Sequence, residues 1–201
     1  MQIINSCLLD LNKNFYNSGE ALFFLKRLKN RGLYKFEKIV IEKYFVNKNA
    51  YVLDIGCGSG REAFALAEQG YRVVGVDFSK VAIEEAKKNI INEKIKFYEC
   101  DAKKIYFSSN QFEYAVMIHG VLPVILDKEK RIRVLKEIYR VLKPGGILIV
   151  SIVCQVNMFL KILLENVLLL EKIFYIVFKR FPLKCLPDVF FYSYYHDRNL
   201  F

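Results

Sequence analysis

The stretch "VLDIGCGSGREA", Val52 to Ala63, restricts the possible folds of this chain more than any other. Gly56, Gly58 and Gly60 stand at alternate positions after a short apolar run with an acid, Asp54, close to its end. Glycine loses more conformational freedom on folding than any other residue, so such a cluster needs a structural or chemical reason. The run before the glycines is strand-like, and "REAFALAEQ" after them is helix-like, which puts them in a strand-to-helix turn. A turn of this kind lets backbone approach a ligand and presents the free N–H groups of a helix start.

The same alternation continues along the chain. "YVLDI" (51–55), "RVVGV" (72–76), "KIKFYE" (94–99), "EYAVMI" (113–118) and "ILIVSIV" (147–153) are β-branched and mostly apolar at consecutive positions, as in strands covered on both faces. Between them lie helical patterns. "KVAIEEAKKN" has Ser79 as its predicted N-cap, and "DKEKRIRVLKEIYRVL" sets Ile132, Leu135, Ile138 and Leu142 on one side before "KPGG" stops it. These spacings predict right-handed βαβ crossovers in an α/β, doubly wound, Rossmann-like, mostly parallel sheet of about five strands.

The chain reads as a single domain, 1–201, with a core over 50–153 and two appendages. Residues 1–46 are expected to form a helical cap, with Ile39, Val40, Tyr44 and Phe45 apolar. Residues 154–201 are expected to hold a long apolar helix over about 156–180 and an aromatic tail. So greasy a helix suits burial against the domain, self-association or contact with a membrane surface.

Composition narrows the setting. No run reaches the roughly 18 uncharged apolar residues of a spanning helix, and the first residues turn polar too early for a signal peptide. Cys7, Cys57, Cys100, Cys154 and Cys185 are an odd set without a CxxC pair, so reduced thiols in a cytoplasmic protein are expected, with neither a disulfide frame nor a zinc site. The net charge of +10 invites a nucleic-acid reading, but 22 of the 31 basic residues are lysines scattered along the chain. A solvated lysine-rich face is the simpler explanation, with one dense patch at Lys26–Lys38.

Acids mark the rim of the sheet. Dinucleotide loops space their glycines G-x-G-x-x-G, whereas here the third glycine comes one residue early and Arg61 follows. Asp54 before the loop would repel a pyrophosphate and suits a cationic ligand such as an ammonium or sulfonium. Asp77 closes the second strand, where a carboxylate can accept from the vicinal hydroxyls of a ribose. Asp101 ends the third strand. Asp also starts turns, which explains any one of these three but poorly explains all of them together.

"VLDIGCGSGREA", "VVGVDFS", "ECDA" and "VLKPGGILIVS" as a series resemble the motifs of class I S-adenosylmethionine-dependent methyltransferases, from about residue 50 to 153. The resemblance implies that Gly56, Gly58 and Gly60 hold the methionine portion of the cofactor, with Asp54 near its amino group. It implies Asp77 on the ribose, Phe78 against the adenine ring, and Asp101 with Ala102 at the adenine amino group. Ile118 and His119 would line the floor beneath the sulfonium.

Methyl transfer by in-line displacement mainly needs alignment and exclusion of water, because the sulfonium is already a good leaving group. A base is needed only for a protonated nucleophile, and His119 in "MIHGVLP" is the candidate; its alternative role is a pocket wall. Gly120 beside it leaves room for substrate, whereas His196 has no assigned place. "MIHG" lacks the Asn/Asp-Pro-Pro-aromatic and Pro-Cys signatures of nitrogen and cytosine methylases, so a small-molecule acceptor is expected. Phe190, Phe191, Tyr192, Tyr194 and Tyr195 would suit an apolar one. Two alternatives stand beside this: a non-catalytic cofactor- or partner-binding form of the fold, and an RNA methyltransferase using Lys26, Arg27, Lys29 and Arg31. The family continues after its fifth strand with a helix and β-hairpin; here the hairpin is expected to be missing and the chain shortened.

Overall fold

The computed structural model describes residues 15–21, 23, 26, 31–119, 121–125, 127–154, 172–179 and 190–195; of 123, 152–154, 172–179 and 190–195 the backbone alone is described. The elements run α1 (Lys35–Tyr44), β1 (Tyr51–Ile55), α2 (Arg61–Glu68), β2 (Arg72–Asp77), α3 (Lys80–Lys87), β3 (Ile95–Glu99), β4 (Phe112–Met117), α4 (Val121–Val124), α5 (Lys128–Val141), β5 (Leu142–Cys154), β6 (Lys172–Lys179) and β7 (Phe190–Tyr195). The sheet order is β3-β2-β1-β4-β5-β6-β7. All pairings from β3 through to β5 are parallel, as the consecutive apolar runs predict.

Period-2 alternation along the strands divides two cores. Val52, Val73, Tyr114, Val116 and Ile149 face α1, α2 and α3, where they meet Val40, Ile41, Phe45, Leu66 and Ile83. Leu53, Ile55, Val74, Ala115, Met117, Leu148 and Val150 face α5 and its Val134, Ile138 and Val141. A sheet buried on both faces in this way is the three-layer doubly wound arrangement. Each large apolar side chain so buried contributes about 1.5–3 kcal/mol. In the cap, Phe45 stacks on Tyr114 with ring centroids 4.2 Å apart, so α1 is anchored to the middle of the sheet.

Several expectations are corrected. The buried stripe of α5 is Val134, Ile138 and Val141; Ile132 and Leu135 are half-buried, and Leu142 already belongs to β5. The "KPGG" stretch therefore lies inside β5. The β4–β5 ladder passes from Phe112↔Leu142 to Tyr114↔Ile147, five residues against two, and Gly145 takes a φ of +76° within that bulge. In the cap, Ile39 is exposed, while Phe36 and Ile41 join Val40 and Phe45 inside.

The C-terminal part differs most. Lys172–Lys179, expected as the end of the apolar helix, is a strand antiparallel to β5, and Phe190–Tyr195 pairs antiparallel with it. The final hairpin is thus present as backbone, and β5 is not a sheet edge. A run that is apolar on almost every residue reads equally as buried helix or buried strand, and the β-branched and aromatic residues of "KIFYIVFK" favour strand. The rest of the expected helix, 155–171, lies outside the described residues. Among the described residues, no helix is long and apolar enough to cross a membrane.

Candidate functional site

The strand order reverses between β1 and β4, so their carboxyl ends diverge and open a crevice where α/β sheets bind ligands. The glycine turn after β1 lies on one side and His119, after β4, on the other. Gly56, Gly58 and Gly60 have φ of +74°, +51° and +92°, the left-handed region open to glycine. A Cβ on Gly56 would lie 2.5 Å from Val121, and one on Gly60 would lie 2.7 Å from Phe97. Packing beneath the loop therefore demands these two glycines as strongly as any ligand above it.

The three rim aspartates occupy three different environments. Asp54 is 2% exposed, and its Oδ2 has no hydrogen-bond partner among the described residues. Burial raises its pKa well above the usual carboxylate range; the charges of Glu62 and Asp77 add to this, while Arg61 and the Ala63 N–H oppose it. Asp77 accepts from Gly58 N (2.9 Å) and Ser79 N (2.8 Å), and a Phe78 backbone bond completes the set. Burial raises its pKa and those bonds pull it back. Asp101 is exposed; it pairs with Lys103 Nζ at 3.0 Å and accepts from the Lys103 N–H at 2.9 Å. Ala102 beside it packs on the core.

Phe78 presents an exposed face, and the Tyr16 ring meets it edge-on at 5.8 Å. Ser79 caps α3 through Ala82 N, and its hydroxyl also reaches Tyr16 O and Asn17 Oδ1, so the segment around Tyr16 lies against the end of β2. Ile118 is buried at the end of β4. His119 has a φ of +62°, unusual for a residue with a side chain, and its ring meets Tyr34 edge-on at 5.5 Å. Burial on its inner side, then the charges of Arg61 and Arg31, push its pKa down to about 4 against the pull of Glu62. The imidazole is therefore neutral at pH 7. Gly120 and His196 lie outside the described residues.

A cluster not foreseen in the sequence sits behind the glycine turn. Arg61, 3% exposed, grips Glu37 with two bonds (2.9 and 2.8 Å), Glu62 with two (3.1 and 2.5 Å) and Gly32 O with one (2.7 Å). Burial alone would lower its pKa, but the two carboxylates raise it. Glu37, Glu62 and His119 bring potential ligand atoms within 4.8 Å of one another, a spacing that could hold a metal ion. Both carboxylates are already engaged by the guanidinium, which takes the place of a cation there. The only sequence signal was Arg61 itself at an unexpected position; Glu37 sits in a lysine-rich stretch without a pattern to mark it.

Residues 52–146 match the family model of a methyltransferase domain. That segment belongs to the class I S-adenosylmethionine-dependent methyltransferases. The chain is 38% identical over 95 residues to a cypemycin N-terminal methyltransferase from Streptomyces sp, a match covering 47% of this chain and 38% of that one. It is 39% identical over 115 residues to the ubiquinone/menaquinone biosynthesis C-methyltransferase UbiE of Desulfotalea psychrophila, covering 56% and 45%. A solved S-adenosylmethionine-dependent methyltransferase from Methanosarcina mazei superimposes with a TM-score of 0.56 at 34% identity, over 65% of this chain and 62% of that one. The chain thus spans less than half the length of the two curated relatives.

S-adenosyl-L-methionine is the methyltransferase cofactor, and the site suits it chemically. Around Asp54, Glu62 and Asp77 push its pKa up and Arg61 opposes them, so among the described residues acids outnumber the buried cation beside the crevice. A ligand with an ammonium and a sulfonium would supply a balancing positive charge. The unpartnered Asp54 Oδ2 is a ready acceptor for such a group.

Proposed function

We propose that this methyltransferase transfers a methyl group to a small-molecule acceptor by in-line displacement. The observation that carries the reading is the buried, unpartnered Asp54 oxygen set behind the glycine turn in an acidic crevice. In this reading Gly56, Gly58 and Gly60 cradle the methionine portion, and Asp54 accepts from its ammonium. Asp77 holds the ribose hydroxyls, Phe78 covers the adenine, and Asp101 with Ala102 borders its amino group. Ile118 floors the crevice. The bound cofactor supplies an activated methyl group on a positively charged sulfur; the protein supplies alignment and a dry floor.

His119 is the proposed proton acceptor when the acceptor's nucleophile carries a proton. It is neutral from about pH 5 upward, so kcat/KM should be flat between pH 6 and 8 as far as this group is concerned. His119→Gln should then lower kcat about a hundredfold for a hydroxyl acceptor and leave cofactor affinity near its starting value. Support for a small molecule comes from UbiE, whose name describes C-methylation in quinone biosynthesis. The experiment is incubation with labelled cofactor and cell extract, followed by separation of lipid, RNA, protein and metabolite fractions. Label in the metabolite or lipid fraction is expected; label confined to RNA or protein would reject the small-molecule acceptor.

A further inference from the structure

Arginine offers five N–H donors in a fixed fork. In Arg61 all five are used, on Glu37, Glu62 and Gly32 O. A guanidinium so saturated has no donor left for a ligand, although it stands one residue past the glycine turn. Its partners come from two places in the chain: Glu62 shares α2 with it, while Gly32 and Glu37 belong to the cap. Tyr34, between those two, lays its ring over the guanidinium at 4.8 Å and donates its N–H to Glu37 Oε2 at 2.8 Å. The same ring also meets His119 edge-on at 5.5 Å.

We propose that Arg61 is a positioning residue that ties the Gly32–Glu37 segment to the glycine turn and thereby shapes the methionine end of the cofactor crevice. Buried ion pairs rarely add net stability, because desolvation offsets their attraction. What this one does is fix geometry: it holds Glu62 beside Asp54 and Tyr34 beside His119. The cap and the turn then meet the amino-acid end of the cofactor as one unit. The adenosine end, set by Asp77 and Phe78, is built by contacts that do not include Arg61. The inference rests on the methyltransferase reading.

The test uses the full chain, calorimetric titration, and two ligands: S-adenosylmethionine and 5′-methylthioadenosine, which lacks the amino-acid portion. Lysine keeps the charge but has three donors on one nitrogen and cannot bridge two carboxylates and a carbonyl. Arg61→Lys should weaken S-adenosylmethionine about tenfold or more and leave methylthioadenosine within about twofold. Glu37→Gln should give the same split more weakly, and the double variant should be no worse than Arg61→Lys alone. Should Arg61→Lys fail to melt cooperatively, the Glu37→Gln split decides. Parallel loss of both ligands, or unchanged S-adenosylmethionine affinity in both variants, would overturn the proposal. An unaltered chain that binds neither ligand would instead overturn the reading on which it rests.

Discussion

The two ends of the proposed cofactor crevice are built on opposite electrostatic plans. At the methionine end, Asp54 is buried with an unpartnered oxygen, and Arg61, Glu37 and Glu62 form a closed network behind it. At the adenine end, Asp101 is exposed and already paired with Lys103. Asp77 lies between, with backbone N–H groups on both oxygens. One residue type at three neighbouring strand ends thus has three physical states. In the proposed pose, charge recognition is concentrated where the ligand is cationic, and the neutral base meets a solvated acid.

The comparison is broken most directly at Asp54. Asp54→Asn should reduce S-adenosylmethionine affinity about a hundredfold or more, since a charge-assisted bond in a buried site is lost. The same change should stabilise the ligand-free protein at neutral pH. The folded-state pKa of Asp54 is raised, so the folded protein holds its proton more tightly than the unfolded chain. Stability therefore falls as pH rises from the unfolded value toward the folded one. Removing the carboxylate should flatten that fall above about pH 4 and raise Tm at pH 7 by a few degrees, measurable by scanning calorimetry.

Asp77→Ala is next. It removes the proposed ribose acceptor and leaves the Gly58 and Ser79 N–H groups without their partner, so affinity should drop about tenfold to a hundredfold and Tm should fall too. A lower Tm separates this site from Asp54, where Tm should rise. Asp101→Asn should be smallest: the Lys103 pair is solvent-exposed, and such pairs contribute about 0–1 kcal/mol. Affinity should change less than about fivefold, with Tm almost unmoved; a loss as large as that at Asp77 would erase the contrast between the two ends.

Much of this arrangement could be read in the sequence because it rests on local rules. Consecutive β-branched runs and the glycine turn identify five parallel strands, and Ser79 declares itself as a cap by type and position. The acids at the strand ends follow from the same pattern. Their differing environments do not, because burial and pairing depend on neighbours distant in sequence: Glu37 reaches Arg61 across 24 positions. The strand at Lys172–Lys179 escaped for another reason, since uniformly apolar sequence has no period to distinguish strand from helix.

Phe97, on β3, has a consequence for how portable the glycine turn is. Its ring lies where a Cβ would stand on Gly60, at 2.7 Å, and where one would stand on Gly75, at 2.5 Å. The turn is therefore not a self-contained module. Grafted into another sheet without a glycine at the position of Gly75 and an aromatic ring at that of Phe97, the same twelve letters would rest on a different floor and lose their shape. Positions 57, 60, 75 and 97 should vary as a set, since alanine at 75 needs room from both Phe97 and the Cys57 sulfur, which would lie 2.9 Å from its Cβ.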